Sequence, residues 1–160
     1  MRIAIVSDTH GRGERVQQAL QLVKRAGAEL ILHCGDIDDA ATVRLFPAHT
    51  HFVFGNCDLD RDEIRAAVRE IGATLHEGFG HVELAGKKLA FVHGDDKHEL
   101  RDLVNSEAFD FVFHGHTHIA DEHRVGRTRV INPGALHRAV PKTFKLLDLP
   151  AGLVETVTVE

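Results

Sequence analysis

Residues 2–11 read RIAIVSDTHG, an apolar run that ends in the polar residues Asp8 and His10. A short apolar run rich in β-branched residues is typical of a buried strand. Residues 16–26 then place apolar side chains at helical spacing, and a second apolar run follows at residues 30–32. The pattern predicts a strand–helix–strand unit, which is a right-handed crossover if its strands are parallel.

Four further apolar runs also end in polar residues that adjoin a glycine, and these residues are Asp36, Asn56, His93 and the pair His116 and His118. The carboxyl ends of the strands are where open α/β sheets bind their ligands. One histidine at a strand end would mean little, but seven nitrogen and oxygen ligands at one edge predict a metal centre. The predicted metal ligands are Asp8, His10, Asp36, Asn56, His93, His116 and His118.

Three further helices are expected, at residues 39–45, 60–71 and 97–104. The second half of the chain is richer in predicted strands than the first half. Asp60 and Glu63 have the spacing of a capping box, and Gly126-Arg127 is typical of a hairpin turn. The whole pattern predicts an α/β fold of two packed mixed sheets with helices outside. The length of 160 residues fits one domain over residues 1–160.

Composition and charge narrow the classes of partner. The formal net charge of −5 argues against strong nucleic-acid binding, but it leaves room for a small phosphate ester at a local cationic site. No apolar stretch approaches the ~20 residues of a membrane span. Two cysteines are too few for a disulfide framework and no leader precedes the first strand, so a cytoplasmic location is expected. The sequence does not determine the oligomeric state and is compatible with a homo-oligomer.

The predicted ligands suit two transition metals better than one. Residues two apart, as in Asp8-x-His10 and His116-x-His118, share one face of an extended backbone and can close on one point. Imidazole together with carboxylate favours manganese, iron, zinc, cobalt or nickel over calcium. Seven ligands exceed one tetrahedral zinc site, whereas a bridging Asp36 gives two metals four contacts each. Two such metals form a clamp for displacement at phosphorus.

The five motifs, in this order over residues 8–118, resemble the signature of the calcineurin-like metallophosphoesterases. The small size of the chain, Cys57-Asp58 and Asn132-Pro133-Gly134 resemble the stand-alone prokaryotic phosphodiesterase subgroup. The resemblance implies a four-layer αββα sandwich and a phosphodiesterase with two divalent metals, manganese first, that uses a metal-bridging hydroxide as nucleophile. It implies metal one at Asp8, His10, Asp36 and His118, and metal two at Asp36, Asn56, His93 and His116.

The resemblance does not identify the general acid or the residues that contact the substrate. Many family members carry a proton-donating histidine where this chain has Cys57, and a thiol with an unperturbed pKa of ~8.5 suits that task badly. Asp58 is a candidate for part of the role, beside Asp36 and Asn56 as catalytic residues. Arg138 is a candidate for binding a phosphate oxygen. The alternatives are a phosphomonoesterase, a non-catalytic interaction scaffold of the same fold, and a nucleotide-binding regulator.

Overall fold

The computed structural model, which describes residues 1–160, contains eleven strands and four helices. The first half contains β1 (Arg2–Val6), α1 (Gly13–Arg25), β2 (Leu30–His33), α2 (Ala40–Val43), β3 (Thr50–Phe52) and α3 (Arg61–Glu70). The second half contains β4 (Thr74–Leu75), β5 (Phe79–Leu84), β6 (Lys87–Val92), α4 (Lys97–Asn105), β7 (Phe111–Phe113), β8 (Asp121–Val125), β9 (Thr128–Asn132), β10 (Lys142–Asp148) and β11 (Leu153–Val159).

The strands form two mixed sheets, as predicted. The six-stranded sheet has the order β11-β10-β1-β2-β3-β4. Its strands β1 to β4 are parallel, while β10 is antiparallel to both of its neighbours. The five-stranded sheet has the order β5-β6-β7-β9-β8. Its inner strands β6, β7 and β9 are parallel, and β5 and β8 pair with them in the antiparallel sense.

Alternation of side chains along β1 shows how the layers are built. Ile3 and Ile5 are fully buried in the apolar core between the two sheets, where Phe91 of β6 also lies. Ala4 and Val6 belong to a second core that includes α1, because successive side chains of a strand point to opposite faces. A smaller core joins the outer face of the five-stranded sheet to α4. The layers therefore run helix, sheet, sheet, helix, which confirms the four-layer αββα sandwich.

Two acidic residues near helix starts behave differently. Asp39 has extended backbone (φ −143°, ψ 160°), and its carboxylate accepts a hydrogen bond from the N–H of Thr42 at 2.7 Å. Asp60 has φ −89° and ψ 61°, and its side chain makes no capping hydrogen bond. The prediction of a capping box at Asp60 and Glu63 is therefore wrong, because the cap residue lacks the extended backbone that aims its side chain at the helix.

No helix combines the length and the apolar character that crossing a membrane requires.

The topology gathers the polar motifs at strand ends. Strands β1, β2 and β3 run parallel in one sheet, and β6 and β7 run parallel in the other. The loops that follow these five strands carry all seven predicted metal ligands.

Candidate metal centre

Most of the predicted ligands lie in tight turns with left-handed backbone. The φ angle is 54° at Asp8, 43° at His10, 59° at Asp36, 68° at His116 and 62° at His118. For residues other than glycine this conformation costs roughly 1–2 kcal/mol, and such strain concentrates at functional sites. The expectation that extended backbone unites each pair of ligands is wrong, because a turn rather than a strand presents them.

Glycines beside the ligands allow the loops to approach one another closely. A Cβ at Gly115 would collide with the Ser7 side chain and with the Asp8 carboxylate. A Cβ at Gly55 would collide with Asp36. The loops after β1 and β7, and those after β2 and β3, therefore come closer than a side chain at either position would permit.

The first set of ligand atoms, here the Asp8 group, consists of Asp8, His10 and His118. Asp8 Oδ1 lies 3.2 Å from His118 Nε2 and 3.7 Å from His10 Nε2. The two Nε2 atoms lie 3.3 Å apart. Because Asp8 and His10 follow β1 whereas His118 follows β7, this group joins the edges of both sheets.

The second set, here the Asp36 group, consists of Asp36, His93 and His116. Asp36 Oδ2 lies 3.1 Å from His93 Nε2, which lies 3.3 Å from His116 Nδ1. The same Asp36 oxygen lies 3.5 Å from His10 Nε2 in the Asp8 group. Asp36 therefore stands between the two groups, where a bridging carboxylate is expected.

The donor atoms of both groups fit metal ions. Two donor atoms that each lie about 2.1 Å from the same ion are about 3.0–3.4 Å from each other. Most of the distances between ligand atoms within the Asp8 group and within the Asp36 group fall in this range. Asp8 Oδ2 accepts hydrogen bonds from Ser7 Oγ at 2.6 Å and from the N–H of His116 at 3.0 Å. Asp8 Oδ1 is buried without any hydrogen-bond partner. A carboxylate oxygen in that state is costly, and a cation in the Asp8 group would satisfy it.

Neighbouring groups orient two of the histidines. His93 Nδ1 lies 2.8 Å from the carbonyl oxygen of Cys34, and a proton donated there leaves Nε2 free to face the Asp36 group. Asp38 Oδ1 lies 3.3 Å from His10 Nδ1, within ion-pair distance but without a hydrogen bond. Carbonyl and carboxylate neighbours of this kind are typical of metal-binding histidines. No sequence pattern singled out the contact of Asp38 with His10, because it depends on the turn between them.

Asn56 and Cys57 lie at the exposed rim of the centre. Asn56 Nδ2 lies 3.7 Å from Cys57 Sγ, and the backbone N–H of Cys57 donates to Asp36 Oδ1 at 2.8 Å. Burial and the nearby Asp36 carboxylate raise the pKa of the Cys57 thiol to about 11. The thiol is therefore protonated at neutral pH, and it is a poor proton donor.

Asp58 holds two of the ligand-bearing loops together. Its carboxylate is buried, and Oδ2 accepts hydrogen bonds from the N–H groups of Asp36 at 2.9 Å and Gly55 at 2.8 Å. Oδ1 accepts from the N–H groups of Ile37 and Asp38, both at 2.8 Å. Both oxygens are thus engaged by backbone of the loops after β2 and β3. This geometry argues against the expected share of Asp58 in proton donation and for a structural clamp.

A cavity of about 410 Å³ opens over the two ligand groups. Arg138, expected to bind a phosphate oxygen, lines it together with Arg12 and His137. The ring of His137 lies 5.2 Å from that of His10, measured between centroids, and its Nδ1 accepts from Arg12 Nε at 3.3 Å. No sequence pattern singled out Arg12 or His137. The one available signal for Arg12 was its place directly after the first motif.

Charge pairing shifts pKa values in the centre. Burial alone would lower the pKa of His93, but the Asp36 hydrogen bond and the charges of Asp8 and Asp36 outweigh burial and raise this pKa to about 9. Burial alone would raise the pKa of Asp36, but His93 and the N–H of Cys57 lower it to about 2. A divalent cation would replace the His93 proton as the counter-charge of the carboxylates.

These shifts predict how the stability of the metal-free protein depends on pH. The folded pKa of His93, about 9, exceeds the ordinary value of 6.5, so its contribution is complete below pH 6.5 and is lost as pH rises to 9. The folded pKa of Asp36, about 2, lies below the ordinary value of 3.8, so its contribution is lost as pH falls from 3.8 to 2. We expect the melting temperature to fall by about 5–10 °C between pH 6.5 and 9. Saturation with a divalent metal should remove most of this loss. A melting temperature of the metal-free protein that stays level or rises over that range would contradict the assignment.

Comparisons with known proteins identify the family and the fold. A family model described as "Calcineurin-like phosphoesterase superfamily domain" matches residues 1–152. The chain is 29% identical over 138 residues to the phosphodiesterase MJ0936 of Methanocaldococcus jannaschii, a match that covers 84% of this chain and 83% of that protein. The solved structure of an archaeal phosphodiesterase superposes with a TM-score of 0.92 at 25% identity, over 99% of this chain and 100% of that chain.

A more distant likeness concerns the fold alone. The structure of YfcE, a phosphoesterase from E. coli, superposes with a TM-score of 0.74 at 20% identity and covers 100% of both chains. The family match, by contrast, spans nearly the whole chain. The chain belongs to the calcineurin-like phosphoesterase superfamily, and it is a metal-dependent hydrolase that acts on phosphoric esters.

Proposed function

We propose that this chain is a phosphodiesterase whose reaction takes place at two divalent transition-metal ions bridged by Asp36. The observation that carries the proposal is the position of Asp36 Oδ2, which lies 3.5 Å from His10 Nε2 and 3.1 Å from His93 Nε2. One carboxylate oxygen thus faces both ligand groups. The likeness to the Methanocaldococcus jannaschii phosphodiesterase supports the choice of diester. Manganese is the first metal to test, followed by nickel, iron, zinc and cobalt.

In this proposal Asp8, His10, Asp36 and His118 hold one ion, and Asp36, Asn56, His93 and His116 hold the other. Ions held by these residues would supply Lewis acidity toward the phosphate oxygens and would lower the pKa of the attacking water. Asp8 and Asp36 offset only half of the charge of two divalent ions. The loaded centre therefore keeps a net positive charge, which attracts an anionic ester to a protein of negative net charge.

Residues around the cavity would orient the ester. Arg138 and Arg12 both line the cavity, and neither guanidinium forms an ion pair with a carboxylate of the protein. Each is free to donate hydrogen bonds to a non-bridging phosphate oxygen. Asn56 lines the same cavity, so its amide is placed to contact the same phosphate group.

Cys57 and Asp58 are both poor proton donors, which favours esters with good leaving groups. Of the two donors considered from the sequence, the Cys57 thiol has a pKa of about 11, and the Asp58 carboxylate is engaged by four backbone N–H groups. An alkoxide leaving group needs a proton at the moment of departure, whereas an aryl oxide of low pKa does not. We therefore expect aryl esters to be hydrolysed faster than alkyl esters, while the preference for diesters over monoesters rests on the likeness to the Methanocaldococcus jannaschii phosphodiesterase.

Turnover with defined metals tests the proposal. Protein depleted of metal should be inactive on bis(4-nitrophenyl) phosphate, and Mn²⁺ should restore hydrolysis. Turnover of this diester should exceed that of 4-nitrophenyl phosphate. Faster turnover of the monoester would favour the phosphomonoesterase instead, and no turnover with any of the five metals would favour a non-catalytic scaffold.

Cys57 provides a sharper prediction about the general acid. Because its thiol is a poor proton donor, Cys57→Ala should keep kcat/KM within about tenfold on an activated aryl diester, an effect of about 1.4 kcal/mol. Asn56→Ala should cost far more, because it removes a proposed metal ligand. Cys57→His should speed esters with poor leaving groups, since an imidazole of pKa ~6.5 can donate a proton. The measurement is kcat/KM over a leaving-group series at fixed metal. A Cys57→Ala variant as inactive as Asn56→Ala, with both metals still bound, would show that the thiol has a chemical role.

A further inference from the structure

A second cavity, of about 510 Å³, lies beside the metal centre at the start of α1. We call it the basic groove and define it by Arg12, Arg15, His137 and Lys142. Glu14 is the one carboxylate in its lining, and Leu136 is the one hydrophobic residue. The groove therefore offers three fixed cations against a single anion, and only one hydrophobic side chain.

The basic groove is continuous with the cavity over the metal centre. Arg12 and His137 line both cavities. The His137 ring lies 5.2 Å from the ring of the proposed metal ligand His10, measured between centroids. One molecule could therefore place one group in the groove and a phosphate at the centre.

The cations of the groove have no anionic partner within the protein. Lys142 Nζ contacts only the carbonyl oxygen of Ala139, at 3.4 Å, and Arg12 Nε donates to His137 at 3.3 Å. Arg15 and Lys142 are half-buried and form no ion pair, although the chain has more acidic than basic residues. Half-buried cations without a carboxylate partner leave a local positive potential that favours an anion.

We propose that the basic groove binds a second anionic group of the substrate. The preferred substrates would then be phosphodiesters whose non-leaving arm carries a phosphate, or a comparable dianion, a few bonds from the scissile phosphorus. This inference rests on the proposed phosphodiesterase function and narrows its substrate class. Arg15 and Lys142, which lie outside the cavity over the metals, supply the discrimination between a charged arm and a neutral arm.

Two aryl diesters that differ only in the non-leaving arm test the inference. One is propyl 4-nitrophenyl phosphate, and the other carries a 3-phosphonopropyl arm in place of propyl. The readout is the ratio of kcat/KM for the charged ester to that for the neutral ester, in Mn²⁺-loaded protein. We expect a ratio of at least about tenfold in the unmodified protein, decreasing with ionic strength because salt screens exposed charges.

The double variant Arg15→Gln/Lys142→Gln should bring this ratio close to one. Arg25→Gln, which removes an exposed cation at the other end of α1, should leave the ratio unchanged. Equal kcat/KM values for both esters in the unmodified protein would overturn the inference alone, and so would a ratio that survives in the double variant. Failure to hydrolyse either ester would instead overturn the proposed function, and the inference with it. The melting temperature of each variant shows whether it is folded.

Discussion

Asp36→Asn should remove both metal ions and reduce turnover by several orders of magnitude. Asp36 Oδ2 is the atom that faces both His10 and His93, at 3.5 Å and 3.1 Å. The amide keeps the size of the side chain but loses its charge and one of its two acceptor oxygens. Because each proposed ion shares this one carboxylate, a single substitution should weaken both sites together. The measurement is the metal content per chain by elemental analysis, together with kcat on bis(4-nitrophenyl) phosphate.

Asp39→Asn is the matched control for loss of a carboxylate in the same loop. Asp39 caps α2 through the N–H of Thr42, and asparagine is an equally good capping residue. The control should keep both metals and nearly full activity. An Asp36→Asn variant that keeps two metals, or that loses only one, would show that Asp36 is not the bridge.

Asp58→Ala should destabilise the protein more than any other single substitution at the centre. The variant leaves four backbone N–H groups without their acceptor, in a site where the side chain is 1% exposed. Each buried N–H without a partner costs about 1–3 kcal/mol. Even if water replaces some of these hydrogen bonds, a loss of at least about 3 kcal/mol is expected, measured by urea unfolding of metal-free protein. Metal affinity should fall as well, because two of the four N–H groups belong to Asp36 and Asp38.

Two further variants separate the clamp from a general loss of charge. Asp58→Asn keeps one acceptor oxygen and should have intermediate stability. Asp60→Ala removes an exposed carboxylate that makes no capping hydrogen bond, so its effect should stay within about 0.5 kcal/mol. If Asp58→Ala unfolded at the same urea concentration as Asp60→Ala, the four hydrogen bonds would not be the stabilising contacts that we infer.

The sequence alone predicts the layers and the edge at which the site lies. Apolar runs such as residues 3–6 and 89–92 bury side chains on both faces, so they predict strands with covered faces, and the structure confirms them. The ends of these runs locate Asp8 and His93 beyond the carboxyl ends of parallel strands, one in each sheet, where α/β proteins bind their ligands. The resemblance also predicts which ligands share an ion. The Asp8 group and the Asp36 group each bring three of those residues together, whereas Asn56 belongs to neither group.

The sequence did not predict the contacts that depend on turn geometry and on distant loops. The left-handed backbone at Asp8 and His10 cannot be located from local propensity, because even Asp and His, which are enriched in it, adopt it in only a small fraction of cases. The clamp of Asp58 joins residues about twenty positions apart, and no periodicity reports such a contact. Arg12 and His137 meet across 125 positions, so their place beside the centre depends on the tertiary structure.

Anomalous diffraction from crystals of Mn²⁺-loaded protein tests whether two ions share the Asp36 carboxylate. We expect two anomalous peaks per chain about 3.5–4 Å apart, with the Asp36 carboxylate between them. His118 should lie on the ion of the Asp8 group, and His116 should lie on the ion of the Asp36 group. A single peak, or two peaks with His116 and His118 bound to the same ion, would contradict the account.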